Sequence, residues 1–510
     1  MAALGLILAL AALLRFPNLA VNPGWYSDEG TLVEIAHKLA QGGWQYLALN
    51  QSMLIVARPP VFLLILAGLF RILEPGIIVL RILTASLGVA SVLLTYLVVR
   101  RVGSLPGLAL LSALLLAIYP QAVLYSRIGF SYNLLAPLAL VACLGVWNFL
   151  ETEKTSWLAI ASLAVGIGIV SDLMMATFLL PLLLLVSTRG WRKSLAALAL
   201  AALPGAVYAV WMAVSVSQAF WFDLRFTLSR LGAFPLSLQI PVVLLNYYYL
   251  ITRDVWFLAG LAGMFLAYPR RWRWLLLTMF LFPLISLGRT TGFATGLEDY
   301  YLIALFPLVA IGVACLVWAG FPYMLHTFQD GLRALFSRWG WQPEGWLSAR
   351  LVALAGSLGL FLLLLSPLLI SPALTLREVF QGFSPRIDPV LVNPGNAGKT
   401  IEFINQRVSK EDLVIASPAV AWAFAANAAD FQQSLAADGI ATRHFPADIP
   451  ADRFIFDPSL PLAKYVVVDR IWRNWGAANM PEVAAMLAEV AGWPQVFTSG
   501  EFSVYQNPLH

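Results

Sequence analysis

Apolar runs of roughly 15 to 23 residues, the length a bilayer core demands of a helix, recur along the first three quarters of the chain. They fall near 2–20, 77–99, 105–122, 134–150, 157–171, 174–187, 194–216, 245–267, 274–288, 300–319 and 351–371, which predicts eleven membrane-spanning helices. A further run, Pro59 to Leu73, is shorter, begins Pro59-Pro60 and carries Arg71, so it is read as an interfacial helix. After about residue 371 the pattern changes. Short apolar strands and amphipathic stretches alternate, with Ser384-Pro385 and Asn393-Pro-Gly395 as breaks. Asn396 to Val408 and Pro481 to Val490 read as helices. Leu413 to Ser417 and Tyr465 to Asp469 read as buried strands, and a closing hairpin turns at Ser499-Gly500. The pattern therefore predicts a polytopic α-helical membrane domain over 1–371 and a small α/β domain over 372–510.

Composition agrees: 60% hydrophobic residues, 12% charged residues and a mean hydropathy of +0.79 describe an integral membrane protein. The formal charge of +5 does not point to nucleic acid, because the basic residues sit in short loops between apolar runs. With Pro59 to Leu73 kept out of the membrane, Arg100-Arg101, Lys154, Arg189/Arg192/Lys193, Arg270/Arg271/Arg273 and Arg333/Arg338/Arg350 all share one side. Basic loops face the cytoplasm, so the loops at 21–76, 123–133, 217–244 and 289–299 and the whole tail are expected on the extracytoplasmic face of the plasma or inner membrane. Both cysteines, Cys143 and Cys315, lie in apolar runs and build neither a disulfide framework nor a zinc site.

Candidate chemistry gathers in those external loops. Asp28 and Glu29, in Pro23-Gly-Trp-Tyr-Ser-Asp-Glu-Gly30, put two carboxylates at the rim of the first span, where ionisable groups mark function; the same residues would also cap the helix that follows. Arg58 precedes two prolines, where a snorkelling interface anchor is the ordinary reading. Arg127 and Asn133 share the loop after the third span. Arg289, Glu298, Asp299 and Tyr300 flank a loop rich in small residues, as a mobile cover over a site would be. His37 lies on the amphipathic stretch behind the acidic pair, and Asp172 lies where two short spans meet. The tail shows no phosphate-binding glycine loop, no metal-spaced set and no nucleophile elbow.

The acidic pair in the first external loop, the amphipathic stretch from Leu32 to Leu47, Arg58-Pro59-Pro60 and the interfacial helix together resemble the polyprenol-phosphate-dependent membrane glycosyltransferases. This is the GT-C superfamily, in the branch of the protein O-mannosyltransferases and the lipid A aminoarabinose transferases, and the resemblance covers roughly residues 1 to 320. It implies transfer of a monosaccharide from a polyprenyl-phosphate donor to an extracytoplasmic acceptor, by inverting displacement. In this reading Asp28 is the base, and Glu29 orients it, contacts the acceptor or helps hold a divalent metal. Arg58, Arg127 and Arg289 meet the donor phosphate, and His37, Asn133, Glu298, Asp299 and Tyr300 meet sugar or acceptor. Tyr132-Asn133 stands where relatives carry an aspartate, which removes one carboxylate from any metal set. A lipid or sugar transporter or flippase is the alternative, but it should show paired halves and mid-membrane polar residues, whereas the candidate residues here gather at one face. A silent sugar or lipid sensor would keep Arg58 without requiring Asp28.

Overall fold

The computed structural model describes residues 2–42, 59–103, 105–231, 241, 244–248, 250, 252, 254–287, 299–338, 346–384, 390–442 and 444–510. Helices α1 (Ala2–Arg15), α2 (Ser27–Ala40) and α3 (Pro60–Phe70) come first. They are followed by α4 (Ile77–Gly103), α5 (Pro106–Ile118), α6 (Pro120–Ser126), α7 (Leu135–Thr152) and α8 (Thr155–Ile169). Next in the chain are α9 (Leu179–Ser187), α10 (Trp191–Ser215), α11 (Ser217–Leu231), α12 (Val255–Phe265) and α13 (Arg270–Leu287). Two long helices, α14 (Phe306–Arg338) and α15 (Trp346–Val379), complete the membrane part. Each apolar run read from the sequence is thus met by helix. Helix α15 carries through the expected boundary at 371 and ends at Val379.

Among the described residues four helical segments are long and apolar enough to cross a membrane, or five if the α5–α6 pair, bent by 58° at Tyr119-Pro120, counts as one broken span. Pro120 breaks the run because it cannot donate to the preceding turn. Helix α3 has 11 residues. At 1.5 Å per residue it rises about 16 Å, half the bilayer core, and cannot span it. It packs instead on α2, through Leu32, Ile35 and Leu39 against Phe62, Leu66 and Phe70, together with Met212 and Phe220. The main membrane core lies between α4, α5, α7, α8, α12, α13 and α14. There α12 crosses α14 so closely that Gly312 faces the backbone of Gly260 with no room for a Cβ, the small-residue contact by which membrane helices associate.

The tail is a five-stranded sheet in the order β2-β1-β3-β5-β4, with β1 Leu413–Ala416, β2 Asn427–Ala429, β3 Ala463–Val468, β4 Gln495–Ser499 and β5 Phe502–Gln506. Strand β1 runs parallel to β2 and β3, while β5 pairs antiparallel with β3 and β4. Strand β1 and residues 465–468 of β3 are unbroken apolar runs because both faces are covered there. The tail helices are α16 (Pro394–Asn405), α17 (Pro418–Ala421), α18 (Phe431–Ala437) and α19 (Pro481–Val490), and α16 starts where Asn393 caps it ahead of Pro394. Strand β2 and a π-helical turn over Ile471–Gly476 are additions to the elements read from the sequence.

Candidate active site

The acidic pair opens α2, and the helix turns its two carboxylates in different directions. Glu29 is fully buried. Its Oε1 accepts from Arg81 Nε and from the Gly129 amide, each at 2.7 Å, and its Oε2 accepts from Arg81 Nη2 at 2.7 Å and from the Tyr26 amide at 2.9 Å. Four donors occupy this carboxylate. Arg81, also fully buried in α4, donates further to the carbonyls of Leu19 at 2.7 Å, Asn22 at 3.4 Å and Gly24. A buried ion pair is tolerable only when its remaining donors and acceptors are satisfied, and here the surplus donors hold the loop that leads to Asp28.

Two more buried arginines lie nearby, and one of them holds that loop. Arg127 Nη2 donates to Pro17 O at 2.7 Å, Nη1 to Leu14 O at 3.2 Å and Arg15 O at 3.1 Å, and Nε to Asn22 Oδ1 at 3.3 Å. Arg15 donates to Ala117 O at 2.9 Å and Leu116 O at 3.2 Å. The carbonyls left over at the ends of α1 and α5 receive cationic donors, the favourable sign for a helix C-terminus. The tail closes the loop from its other side. Asn22 Nδ2 donates to Glu378 O at 2.8 Å and Gly382 O at 2.9 Å, and the Ser384 amide donates to Pro23 O at 2.9 Å. Trp25 and Val392 exchange both backbone hydrogen bonds at 3.0 Å.

Asp28 is half-buried in the first turn of α2 and lies within electrostatic reach of Tyr300. An aromatic wall stands beside it. Phe130 meets Tyr26 edge-on at 5.1 Å and Tyr300 at 4.7 Å, while Tyr132 stacks on Tyr300 at 5.3 Å and meets Tyr301 edge-on at 5.4 Å. The short helical turn opening at Asp299 sets Tyr300 and Tyr301 into this wall. A carboxylate at a helix N-terminus with aromatic faces around it is equipped to accept a proton beside a bound ring.

Several expected residues are placed differently. Asn133 is buried, and its Nδ2 donates to the carbonyls of Tyr125 at 3.0 Å, Ile128 at 3.2 Å and Phe130 at 3.1 Å, so it shapes the turn that carries Phe130. Arg127, as described, spends its guanidinium on the chain. His37 is exposed, paired with Gln41 at 2.8 Å; nine residues after Asp28, two and a half turns, it lies on the opposite face of α2. Asp172 caps the turn before α9, accepting from the Met174 amide at 3.1 Å and from Ser131 Oγ at 3.2 Å. Arg58, Arg289 and Glu298 lie outside the described residues, and of Asp299 only the backbone is described. Among the described residues no three His, Cys, Asp or Glu side chains gather to hold a metal, and Glu29 has no lone pair to spare for one. Sequence reasoning missed Arg81; its signal was a lone cation inside an apolar span, Ile77 to Gly88, where a charge requires a partner.

Residues 57–221 match the family model of the dolichyl-phosphate-mannose-protein mannosyltransferases. The chain is similar in structure to ArnT from Cupriavidus metallidurans. Against its apo crystal structure the TM-score is 0.63 at 14% identity, covering 99% of this chain and 98% of that one. Against ArnT bound to undecaprenyl phosphate the TM-score is 0.61 at 15% identity, covering 99% and 97%. No curated protein is significantly similar in sequence. The chain shares the fold of that ArnT structure, and its long apolar helices make it an integral membrane protein.

Proposed function

We propose that the protein transfers a monosaccharide from a polyprenyl-phosphate carrier to an acceptor on the extracytoplasmic side of the membrane, with Asp28 as the catalytic base. The observation that carries this reading is the placement of Asp28: it sits half-buried in the first turn of α2, within electrostatic reach of Tyr300 in the aromatic wall, next to a Glu29 that four donors hold in place. The undecaprenyl phosphate held by ArnT supports a polyprenyl-linked donor here. In the reaction the acceptor's hydroxyl or amine attacks the anomeric carbon and its proton passes to Asp28. The bond from that carbon to the phosphate oxygen breaks, and polyprenyl phosphate leaves with the electron pair. Attack opposite the leaving group inverts the anomeric centre. Arg58 and Arg289 stabilise the departing phosphate, and Tyr300 and its neighbours present ring faces to the sugar.

The test is release of polyprenyl phosphate from a panel of polyprenyl-phosphate monosaccharides, by purified protein in lipid. Wild type turns over, and Asp28→Asn, still folded, loses about 10²- to 10⁴-fold in kcat, the usual worth of a positioned base. Equal turnover by Asp28→Asn removes Asp28 as the base. Movement of intact donor across the bilayer without release would make the protein a transporter.

A further inference from the structure

A cavity of about 670 Å³ opens between α11 and the tail segment Pro450–Arg453, and its lining shares no residue with the acidic loop. Its wall is built. Asp223, fully buried on α11, holds Arg453 of the tail, accepting from Nη1 at 3.1 Å and from Nη2 at 3.4 Å, and the guanidinium lies 5.9 Å from the ring centre of Phe222. That pair cancels its own charge. Arg225 and Asp452 also line the cavity, both exposed, and among the described residues neither has a hydrogen-bond or ion partner. The cavity thus presents one available cation and one available carboxylate.

Its setting is amphiphilic. Helix α10 is the most outward-facing of the four candidate spans among the described residues, with 17% of its apolar window buried. Its exposed residues Leu203, Val207, Val210 and Val214 follow one another at intervals of four, three and four, a single stripe along the helix. The stripe ends at Ser215, where α11 turns away with Trp221, 55% exposed, at the cavity rim. Apolar surface giving way to an exposed tryptophan is the signature of the headgroup level of a bilayer.

We propose that this cavity binds the headgroup of a zwitterionic phospholipid bearing a primary ammonium, of the phosphoethanolamine class, with the acyl chains along the α10 stripe. Arg225 takes the phosphate, since a guanidinium matches phosphate oxygens bidentately, and Asp452 takes the ammonium. A purely anionic headgroup would satisfy Arg225 but leave the Asp452 carboxylate without a cation. A choline headgroup would offer Asp452 no N–H donor. The bound lipid ties a residue of the membrane domain to a residue of the tail.

The experiment is native mass spectrometry of the delipidated full-length protein, titrated with phosphatidylethanolamine, phosphatidylcholine and phosphatidylglycerol of matched chains, with inorganic phosphate as competitor. Expected is at least tenfold tighter binding of phosphatidylethanolamine than of the other two. Arg225→Ala weakens it about tenfold, and Asp452→Asn abolishes the preference over phosphatidylglycerol. Both side chains are exposed, so both variants keep the lipid-free melting temperature of the wild type. Equal binding of the three lipids, or variants that bind as wild type, would overturn the proposal. So would displacement by millimolar inorganic phosphate irrespective of the lipid's chains, which would assign the cavity to a free anion.

Discussion

At the scale of single residues, one guanidinium organises the acidic loop. Arg81 neutralises Glu29 in a fully buried pair and gathers three carbonyls from residues 19–24. Removing one partner of such a pair leaves an uncompensated charge and costs about 3–5 kcal/mol. Arg81→Met is therefore expected to lower the melting temperature strongly and to abolish transfer, whereas pairing it with Glu29→Gln restores much of the stability without restoring the loop. Thermal unfolding and turnover of the single and double variants, read as a double-mutant cycle, check this; additive effects would refute the coupling. Asp28 and Glu29 were visible in the sequence as a pair because two carboxylates beside an apolar run violate its pattern. Their separate roles were not visible, since these depend on Arg81 and Gly129, 52 and 100 residues away from Glu29. Arg127 and Asn133 misled for a related reason: a polar residue in an external loop looks like a ligand until its hydrogen bonds to nearby carbonyls are counted.

At the scale of elements, α2 is clamped between the membrane domain and the tail. One side packs on α3, and at Gly30 the other side meets α17 so closely that a Cβ would be driven into the Pro418 carbonyl. Gly30→Ala should leave the tail folded but undocked, seen as faster proteolysis between α15 and α16 with transfer activity lost; unchanged proteolysis would show that the contact adjusts. The same clamp buries acids. Glu34, on α2, is pushed up to about 7 by burial, which Lys38 partly offsets, and Asp430, which caps α18, is pushed up to about 6 by its own burial. Asp469, behind β3, is also raised to about 6 by burial, against the opposing hydrogen bonds from Ser417 and the Ile471 and Trp472 amides. A carboxyl raised in the folded state binds its proton more tightly there than in the unfolded chain. Its stabilisation is complete below the unfolded value near 4 and is lost as pH rises through 6 to 7. The tail should therefore be more stable, and melt at higher temperature, at pH 5 than at pH 7.5; Asp469 alone contributes about 1 kcal/mol over that window, because only the interval from pH 5 to about 6 lies inside it, and Asp469→Asn should flatten that slope. Calorimetry across this range decides it. The helices were legible because apolar length survives any context, and β1 and β3 because both faces are buried. Strand β2, three residues in Asn-Ala-Ala, carries no pattern of its own and exists because β1 supplies its partner.

At the scale of the whole molecule, orientation remains a proposal from basic loops, and it has a direct check. Both native cysteines are buried. A cysteine at exposed Ser409 in the tail should react with an impermeant maleimide in intact cells, and one at Glu153, in the basic loop after α7, only after permeabilisation; the reverse pattern would invert the assignment. The α/β tail was legible as a domain from its change of pattern, but its partnership with the opening loop was not, because no local signal links Trp25 to Val392. That pairing carries a consequence for how the protein is made. Residues 22–25 find their hydrogen-bond partners at 378–392, and α2 finds its neighbour at Pro418. A ribosome must finish more than three quarters of the chain before the first thirty residues can settle. The helices can enter the bilayer one after another during synthesis, but the loop presenting Asp28 takes its final shape only when the last quarter arrives. A nascent chain interrupted before that point would carry every membrane helix and no working centre.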